Sequence, residues 1–568
     1  MKKNSLIWTY RAVGKYKGSI AVLSLMQIFM GICSVYFAVI FRDLIDHAAS
    51  GRMQLFIRSA LTLIILELGQ IAVDMLGRLL SEWTRASLEN SLKKRLFSCL
   101  LHKDYAKVAA VHSGDWVTRL TSDTVVVTGG VIDIVSGAVG IFARLTGALA
   151  VLFIMEPFFF AVFIPAALLI ILLTSSLRKV LKRLHKNIQE ANGAVLSYLQ
   201  ERLNSLMIIK VFSVEKQTCD ESSQKMEQHK KARIKRNYFS SLCSSGFGAI
   251  IDGGYLFGAI YCGYGILKGS ISYGTFMAVL QLIGQIQSRF AGISGLVPQY
   301  YAVLASAERL MEAEHYPDDS DEASSISDHE LLLFYRENFR SLGMRSVCFS
   351  YPPSGDDPSA SRTAVLDHFS LEIRKGEYVA FTGHSGCGKS TLLKLLMCLY
   401  PPDEGQRYIK SCKSGEEETE YPLTAQWRRL FAYVPQGNHL MSGTIREIIA
   451  FGDPAAMSQE ERLDQALRIS CADEFVKELE NGLDTVLGEH GSGLSEGQMQ
   501  RIAIARAVFS DRPVLILDES TSALDEVTEE KLLTNLRQMT DKTVLIITHR
   551  AAALRICDRK IEMTPVSV

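Results

Sequence analysis

The sequence has no Cys-x-x-Cys pair among its 11 cysteines and no histidine cluster at zinc spacing. A disulfide framework or structural metal site is therefore not expected, and thiols facing a reducing compartment are. It also lacks an excess of either charge. Lys+Arg and Asp+Glu both total 61, so no global basic surface points to nucleic acid. Charged residues are few, 21% against 48% hydrophobic, and mean hydropathy is +0.13, which excludes disorder and fits poorly with a wholly soluble or secreted globular chain. The 568 residues are length enough for about four domains, and much of that length is apolar sequence in long runs.

Those runs are confined to the first three hundred residues. A spanning helix needs about 20 mostly apolar residues, and six segments qualify: 19–40, 55–75, 130–155, 158–177, 242–267 and 273–297. The first follows Lys2, Lys3, Arg11, Lys15 and Lys17 without a small-residue cleavage site, so it reads as a retained anchor. Lys and Arg crowd the connections between the second and third and between the fourth and fifth segments, which places both in the cytoplasm. Arg42, Arg52 and Arg58 oppose that rule without reversing it. Both basic stretches are rich in helix formers and predict long helical extensions. Polar acidic residues 314–330 then read as a flexible connector.

Charges inside spans are costly in lipid. Asp133 and Arg144 fall on nearly one helix face, Gln281, Gln285 and Arg289 form a second polar stripe, and Asp252 sits in a glycine-rich span. These residues either line a cavity for polar groups or join helices. Gly246, Gly248, Gly253, Gly254 and Gly258 read as close-packing positions.

From about residue 336 the pattern is that of a soluble α/β domain. A strand-like run, 377–382, leads into Gly383, His384, Ser385, Gly386, Cys387, Gly388, Lys389, Ser390 and Thr391, and an apolar helical run follows. Glycines in such a loop let the backbone wrap phosphate oxygens at a helix N-terminus, Lys389 reaches the β/γ-phosphates, and Ser390 is placed for Mg²⁺. The apolar run 514–517 ends in Asp518 and Glu519. Alone this pair reads equally well as an acidic turn. Downstream of a phosphate loop, Asp518 is suited to hold Mg²⁺ and Glu519 to polarise water for attack on a γ-phosphate. Cys387, beside a helix N-terminus and Lys389, is either a reactive thiolate that ATP would protect or an inert small side chain.

Leu494-Ser495-Glu496-Gly497-Gln498 resembles the signature of ATP-binding cassette (ABC) ATPases. Gln436 resembles that family's Q-loop, Asp525 closes a run similar to its D-loop, His549 resembles its switch histidine, and Tyr351 the aromatic that stacks on adenine. Residues 485–491, with Glu489, resemble the loop before the signature, while 113–123 and 201–215 resemble the two coupling-helix regions. The whole chain is thus similar to a type I ABC exporter half-transporter: an all-α six-helix transmembrane domain followed by an α/β P-loop ATPase domain of ABC type. The expected boundaries are 1–312 for the membrane domain, 313–335 for the linker and 336–568 for the ATPase domain.

The resemblance implies a dimer, identical or with a related half-transporter, in which ATP lies between residues 383–391 of one subunit and Ser495, Gly497 and Gln498 of the other. Glu519, His549 and Gln436 carry catalysis; Tyr351 and Asp525 complete the nucleotide site; Ser390, Gln436 and Asp518 hold Mg²⁺. The expected activity is ATP-driven export of an amphipathic small molecule, peptide or lipid across the cell membrane, with membrane lipid as surroundings and no nucleic acid partner. The alternatives are a siderophore importer of exporter fold and a non-transporting regulatory ATPase. Three departures stand out: Glu496 where the family has glycine, a charged stretch at 410–421 in place of a tight hairpin, and a C-terminal strand and helices expected to be missing or reduced.

Overall fold

The computed structural model describes residues 2–111, 113–319, 326–351, 364–412, 417–437, 440–488, 491 and 493–565. Within these, the side chains of 2–3, 160–164, 166–179, 181–182, 247, 251, 290–295 and 297 are outside the description. The chain divides into two compact units, Met1–Phe97 with Gly114–Glu314, and Ser98–Ser113 with His315–Val568.

The first unit is built on six long helices: α1 (Lys17–Ala49), α2 (Met53–Leu101), α3 (Thr124–Met155), α4 (Phe158–Asn204), α5 (Glu215–Leu267) and α6 (Tyr273–His315). Their lengths, 32 to 53 residues, exceed the roughly 20 that a bilayer core requires. Helix runs on from the spans into both basic connections, interrupted at 102–104 and 110–111 in the first and at 205 and 212–214 in the second. Four helical stretches are long and apolar enough to cross a membrane, containing the first, second, third and fifth expected spans. The fourth and sixth, 158–177 and 273–297, are helical along the backbone but fall partly on side chains outside the description. Glu156 and Pro157 break α3 from α4, Glu156 leaving the helical conformation at φ −145° and ψ 88°.

Before α3 the chain makes a π-helical turn, Arg119–Asp123, of the kind that re-aims side chains at the cost of regular hydrogen bonding. Here it carries Asp123, only 3% exposed, towards α6. Its carboxylate accepts from Ser306 Oγ at 2.9 Å, from Arg309 Nε at 2.7 Å and also from Arg309 Nη2. At the other end of α6 the Gly274 amide donates to Asp46 of α1 at 2.8 Å. Of the glycines in α5, Gly258 packs closely, since a Cβ there would lie 2.6 Å from Ile283; Gly246, Gly248 and Gly253 face open space and do not meet the packing expectation.

The second unit is layered around two sheets. Strands β1 (Phe339–Ser350), β2 (Ala364–Arg374), β4 (Glu404–Ser411) and β5 (Thr419–Pro422) form an antiparallel sheet in the order β2-β1-β4-β5. Strands β3 (Tyr378–Thr382), β6 (Phe431–Val434), β9 (Val514–Asp518), β10 (Thr543–Ile547) and β11 (Arg559–Glu562) form a parallel sheet, β11-β3-β10-β9-β6. A short pair, β7 (Gly443–Thr444) and β8 (Val486–Leu487), stands apart. Every residue of β3, β9 and β10 is buried, as in a parallel sheet covered on both faces, which explains their unbroken apolar sequence. Four helices matter for function: α7 (Asp328–Glu337), α8 (Lys389–Leu396), α9 (Glu496–Phe509) and α10 (Glu526–Arg537).

Three expectations are corrected. The C-terminal strand is present as β11, paired with β3 over Arg559–Glu562. The two ends of the 410–421 stretch, Lys410–Ser411 and 419–421, belong to an antiparallel β4–β5 pair in which Lys410 lies opposite Glu420, while 413–416 lie outside the described residues. The connector is not featureless: Ser327 caps α7 in a capping box with Glu330, and Asp318 and Asp319 pair with Lys103 and Arg428. Lys103 belongs to the segment 98–113, whose short helix Tyr105–Ala109 sits in the second unit. There Tyr105 packs edge-on against Tyr400, ring centroids 5.8 Å apart. The element from the first basic connection that lies with the second unit is thus upstream of 113–123.

Candidate nucleotide site

The site grows from the carboxyl ends of β3, β9 and β10, where a doubly wound sheet opens a crevice. After β3 the backbone takes left-handed values at Gly383 (φ +138°), Gly386 (+84°) and Gly388 (+95°). A Cβ on Gly383 would meet Met563 O at 2.3 Å, while Gly386 faces open space. The loop ends on the N-terminus of α8, which favours an anion. Lys389, 7% exposed, arches back and donates from Nζ to Gly383 O at 2.7 Å and His384 O at 2.9 Å. His384 and Ser385 are exposed; Thr391 is buried and shares a hydrogen bond of 3.1 Å with the Tyr351 hydroxyl. Tyr351 itself stands edge-on to Phe349 and Tyr400.

Cys387 is 2% exposed, with Lys389 Nζ 3.8 Å from its sulfur. This burial favours the inert alternative over the reactive one.

At the end of β9 the carboxylates diverge. Asp518, buried, is 3.4 Å from Ser390 Oγ and accepts from Tyr433 O–H at 3.1 Å. Burial raises its pKa, with the Glu519 charge adding to the rise, while the bonds from Ser390 and Tyr433 oppose it. Burial likewise raises the Tyr433 phenol, so it stays a donor. Glu519 sits at φ +49°, an uncommon conformation for a residue with a Cβ, and its Oε2 accepts from Gln436 Nε2 at 2.7 Å. Its amide is held by Ile547 O of β10, the strand that also delivers exposed His549 two residues later. Ser390, Asp518, Gln436 and Glu519 are thereby linked around one crevice.

The signature residues engage each other. Ser495 caps α9, accepting from the Gln498 amide at 3.3 Å and returning its own amide to Gln498 Oε1 at 2.9 Å. Gly497 allows close approach, since a Cβ would lie 2.9 Å from Ala523 O. Asp525 caps α10 through the Thr528 amide. Glu489 lies outside the described residues.

Two residues that sequence reading missed tie these parts together. Glu529, 1% exposed, accepts from Thr521 Oγ1 at 2.8 Å and from Arg550 Nε at 2.9 Å. Arg550 also donates to the carbonyls of Thr521 and Leu524, so the residue after His549 clasps the turn before Asp525. A signal existed: Glu529 shares the buried face of α10 with Leu532, Leu533 and Leu536 at helical spacing.

Comparison with known proteins decides the family. The description "ABC transporter transmembrane region" matches residues 20–290 and "ABC transporter" matches 366–522. The chain belongs to the ABC transporter family. As an ABC transporter it is a multi-pass membrane protein with a cytoplasmic, ATP-binding domain, and it couples ATP hydrolysis to transport. It is 27% identical over 565 residues to the ATP-dependent lipid A-core flippase of Vibrio cholerae, covering 97% of this chain and 91% of that protein. It is 26% identical over 579 residues to the alpha-hemolysin translocation ATP-binding protein HlyB of Proteus vulgaris, covering 99% and 77%. A bacterial Atm1-family ABC exporter with ATP bound shares its fold at TM-score 0.79 and 20% identity, over 96% of this chain and 93% of that one. The exporter reading stands, and neither the importer nor the purely regulatory alternative is favoured.

Proposed function

We propose that this ABC transporter exports an amphipathic molecule bearing an anionic group, and works as a dimer. One observation carries the substrate chemistry. A cavity of about 500 Å³ in the membrane unit is lined by α1, α2, α3 and α6, with six charged side chains among its walls. Its three carboxylates each have a cationic neighbour: Asp74 has Arg78 at 2.7 Å, Asp133 has Arg85 at 2.9 Å and also Gln299 at 3.3 Å, and the exposed Glu82 has Arg85 at 3.9 Å. Asp133 does not pair with Arg144. Arg144 hydrogen-bonds Gln27 at 3.4 Å, and the Nε atoms of Arg144 and Arg289 are buried without a hydrogen-bond partner among the described residues. Two guanidiniums with no ion pair to a carboxylate among the described residues are costly in a membrane span and suit a phosphate or carboxylate taken in a forked grip.

In the ATPase domain the left-handed loop and the α8 N-terminus fit a triphosphate. Ser390, Asp518 and Gln436 fit Mg²⁺, as the buried carboxylate of Asp518 has no ion-pair partner among the described residues; when bound, the ion supplies charge neutralisation between phosphates. Tyr351 stacks on the base, Lys389 holds phosphate oxygens, Glu519 takes the proton of the attacking water, and Gln436 and His549 orient that water and the γ-phosphate. Ser495, Gly497 and Gln498 serve the site of a second subunit, identical or related. A second copy is supported by the exposed apolar tip around Leu206, Met207, Ile208, Val211 and Phe212, which a lone chain leaves in water.

The test is ATPase activity of the full chain in lipid nanodiscs. Anionic amphiphiles stimulate it and neutral analogues of equal chain length do not. Glu519→Gln lowers turnover by about 100-fold or more, and Arg144→Ala or Arg289→Ala raises the concentration for half-maximal stimulation about 10-fold. Equal stimulation by neutral amphiphiles refutes the anionic reading, and an unchanged rate in Glu519→Gln refutes the catalytic one.

A further inference from the structure

The β1–β2 pair is irregular where it approaches Tyr351. Its register shifts between Met344 and Val347 and again before Phe349, and two residues with side chains, Ser346 (φ +47°) and His368 (φ +43°), take left-handed conformations. A regular pleat sends neighbouring side chains to opposite faces. The irregularity at His368 instead brings its ring to the side of Asp367, opposite Cys348 of β1. The Cys348 sulfur lies 3.7 Å from Asp367 Oδ1, and His368 Nε2 lies 3.9 Å from the same oxygen. All three ligand atoms fall within 4.8 Å of one another, the one group of its kind among the described residues.

We propose that Cys348, Asp367 and His368 form a transition-metal site of the zinc class that clips β1 to β2. Bond lengths of about 2.0–2.3 Å to sulfur, nitrogen and oxygen put tetrahedral ligands roughly 3.3–3.7 Å apart, so closing on an ion needs side-chain shifts of about 1 Å or less. Asp367 and His368 are well exposed, 62% and 69% at the side chain, and free to make them. The His368 amide donates to the Cys348 sulfur at 3.2 Å, which fixes the sulfur beside the other two ligand atoms. Thiolate with imidazole selects a borderline ion over Mg²⁺ or Ca²⁺, and the fourth position is open to water. The site escapes a search by spacing because its ligands lie 19 and 20 residues apart, joined only by strand pairing. It is separate from the nucleotide crevice: none of the three residues belongs to the phosphate loop or the β9 carboxylates.

The test uses the reduced full chain in nanodiscs without nucleotide or Mg²⁺, titrated with Co²⁺ and then Zn²⁺. Wild type gains a saturable thiolate-to-cobalt charge-transfer absorption that Zn²⁺ abolishes. Cys348→Ser removes that absorption, and His368→Ala and Asp367→Asn weaken Co²⁺ binding at least about 10-fold, with thermal unfolding of the metal-free Asp367→Asn variant unchanged because that side chain is exposed. Absorption of wild-type size in Cys348→Ser, or none in wild type, overturns the proposal.

Discussion

The clasp between Glu529 and Arg550 makes a quantitative prediction about coupling within the ATPase domain. Glu529 is fully buried, and Arg550 is about one-third exposed, 32% at the side chain. Removing one member of a buried ion pair costs about 3–5 kcal/mol. Solvent screening at Arg550 reduces this to about 2–3 kcal/mol for Glu529→Ala, since the stranded guanidinium can turn to water. The loss falls on the turn 521–525, whose Thr521 and Leu524 carbonyls Arg550 holds at 2.6 and 2.8 Å. Opening of that turn becomes easier by the same amount, and 2 kcal/mol corresponds to roughly 30-fold faster amide exchange. Hydrogen exchange of the full chain in nanodiscs, read on peptides covering 519–525 and 548–556, measures it directly. Glu529→Gln keeps the Thr521 bond without the charge and falls between the two. In a double-mutant cycle with Arg550→Met, the coupling is at least about 1 kcal/mol. Additive single mutants, or unchanged exchange at 521–525, would refute the reasoning.

Other outcomes follow from burial and charge. A maleimide reagent modifies exposed Cys219 readily and buried Cys387 slowly, so Cys387→Ala leaves early labelling unaltered; mass spectrometry of labelled peptides decides. Asp558 is held below the ordinary carboxylate range chiefly by the hydrogen bond from Arg537, helped by the Tyr378 amide. Its contribution is therefore complete above the unfolded value near pH 4 and lost as pH falls through the lower folded one. Thermal unfolding of Asp558→Asn accordingly differs from wild type at neutral pH, and the gap closes on acidification.

Much of this was legible in sequence, for identifiable physical reasons. Apolar runs near twenty residues announce helices because lipid leaves the backbone no other partner, and the glycines around Lys389 announce a phosphate loop because a left-handed backbone there excludes side chains. Side-chain pairing was less legible. Asp133 and Arg144 share a helix face, yet Asp133 turns to Arg85 and Gln299, because partners are chosen across helices that sequence does not align. Cys387 carries the local marks of a reactive thiol, but the fold of the loop buries it. β11 was missed because a short edge strand, four residues with three exposed, has little apolar signature.

The packing of Tyr105 on Tyr400 has a practical consequence for anyone dividing this protein. Residues 98–113 are written in the membrane half of the sequence but fold with the second unit, where Lys103 holds Asp318 at 2.5 Å and the amides of Asp104 and Asp319 meet the carbonyls of Pro317 and His102. A polypeptide cut at 315 therefore leaves behind a piece of its own tertiary structure. Tyr400 would lose one face of an aromatic contact worth about 0.5–1.5 kcal/mol, in the same cluster that steadies Tyr351. Nucleotide affinities measured on such a fragment would describe a domain missing one of its walls.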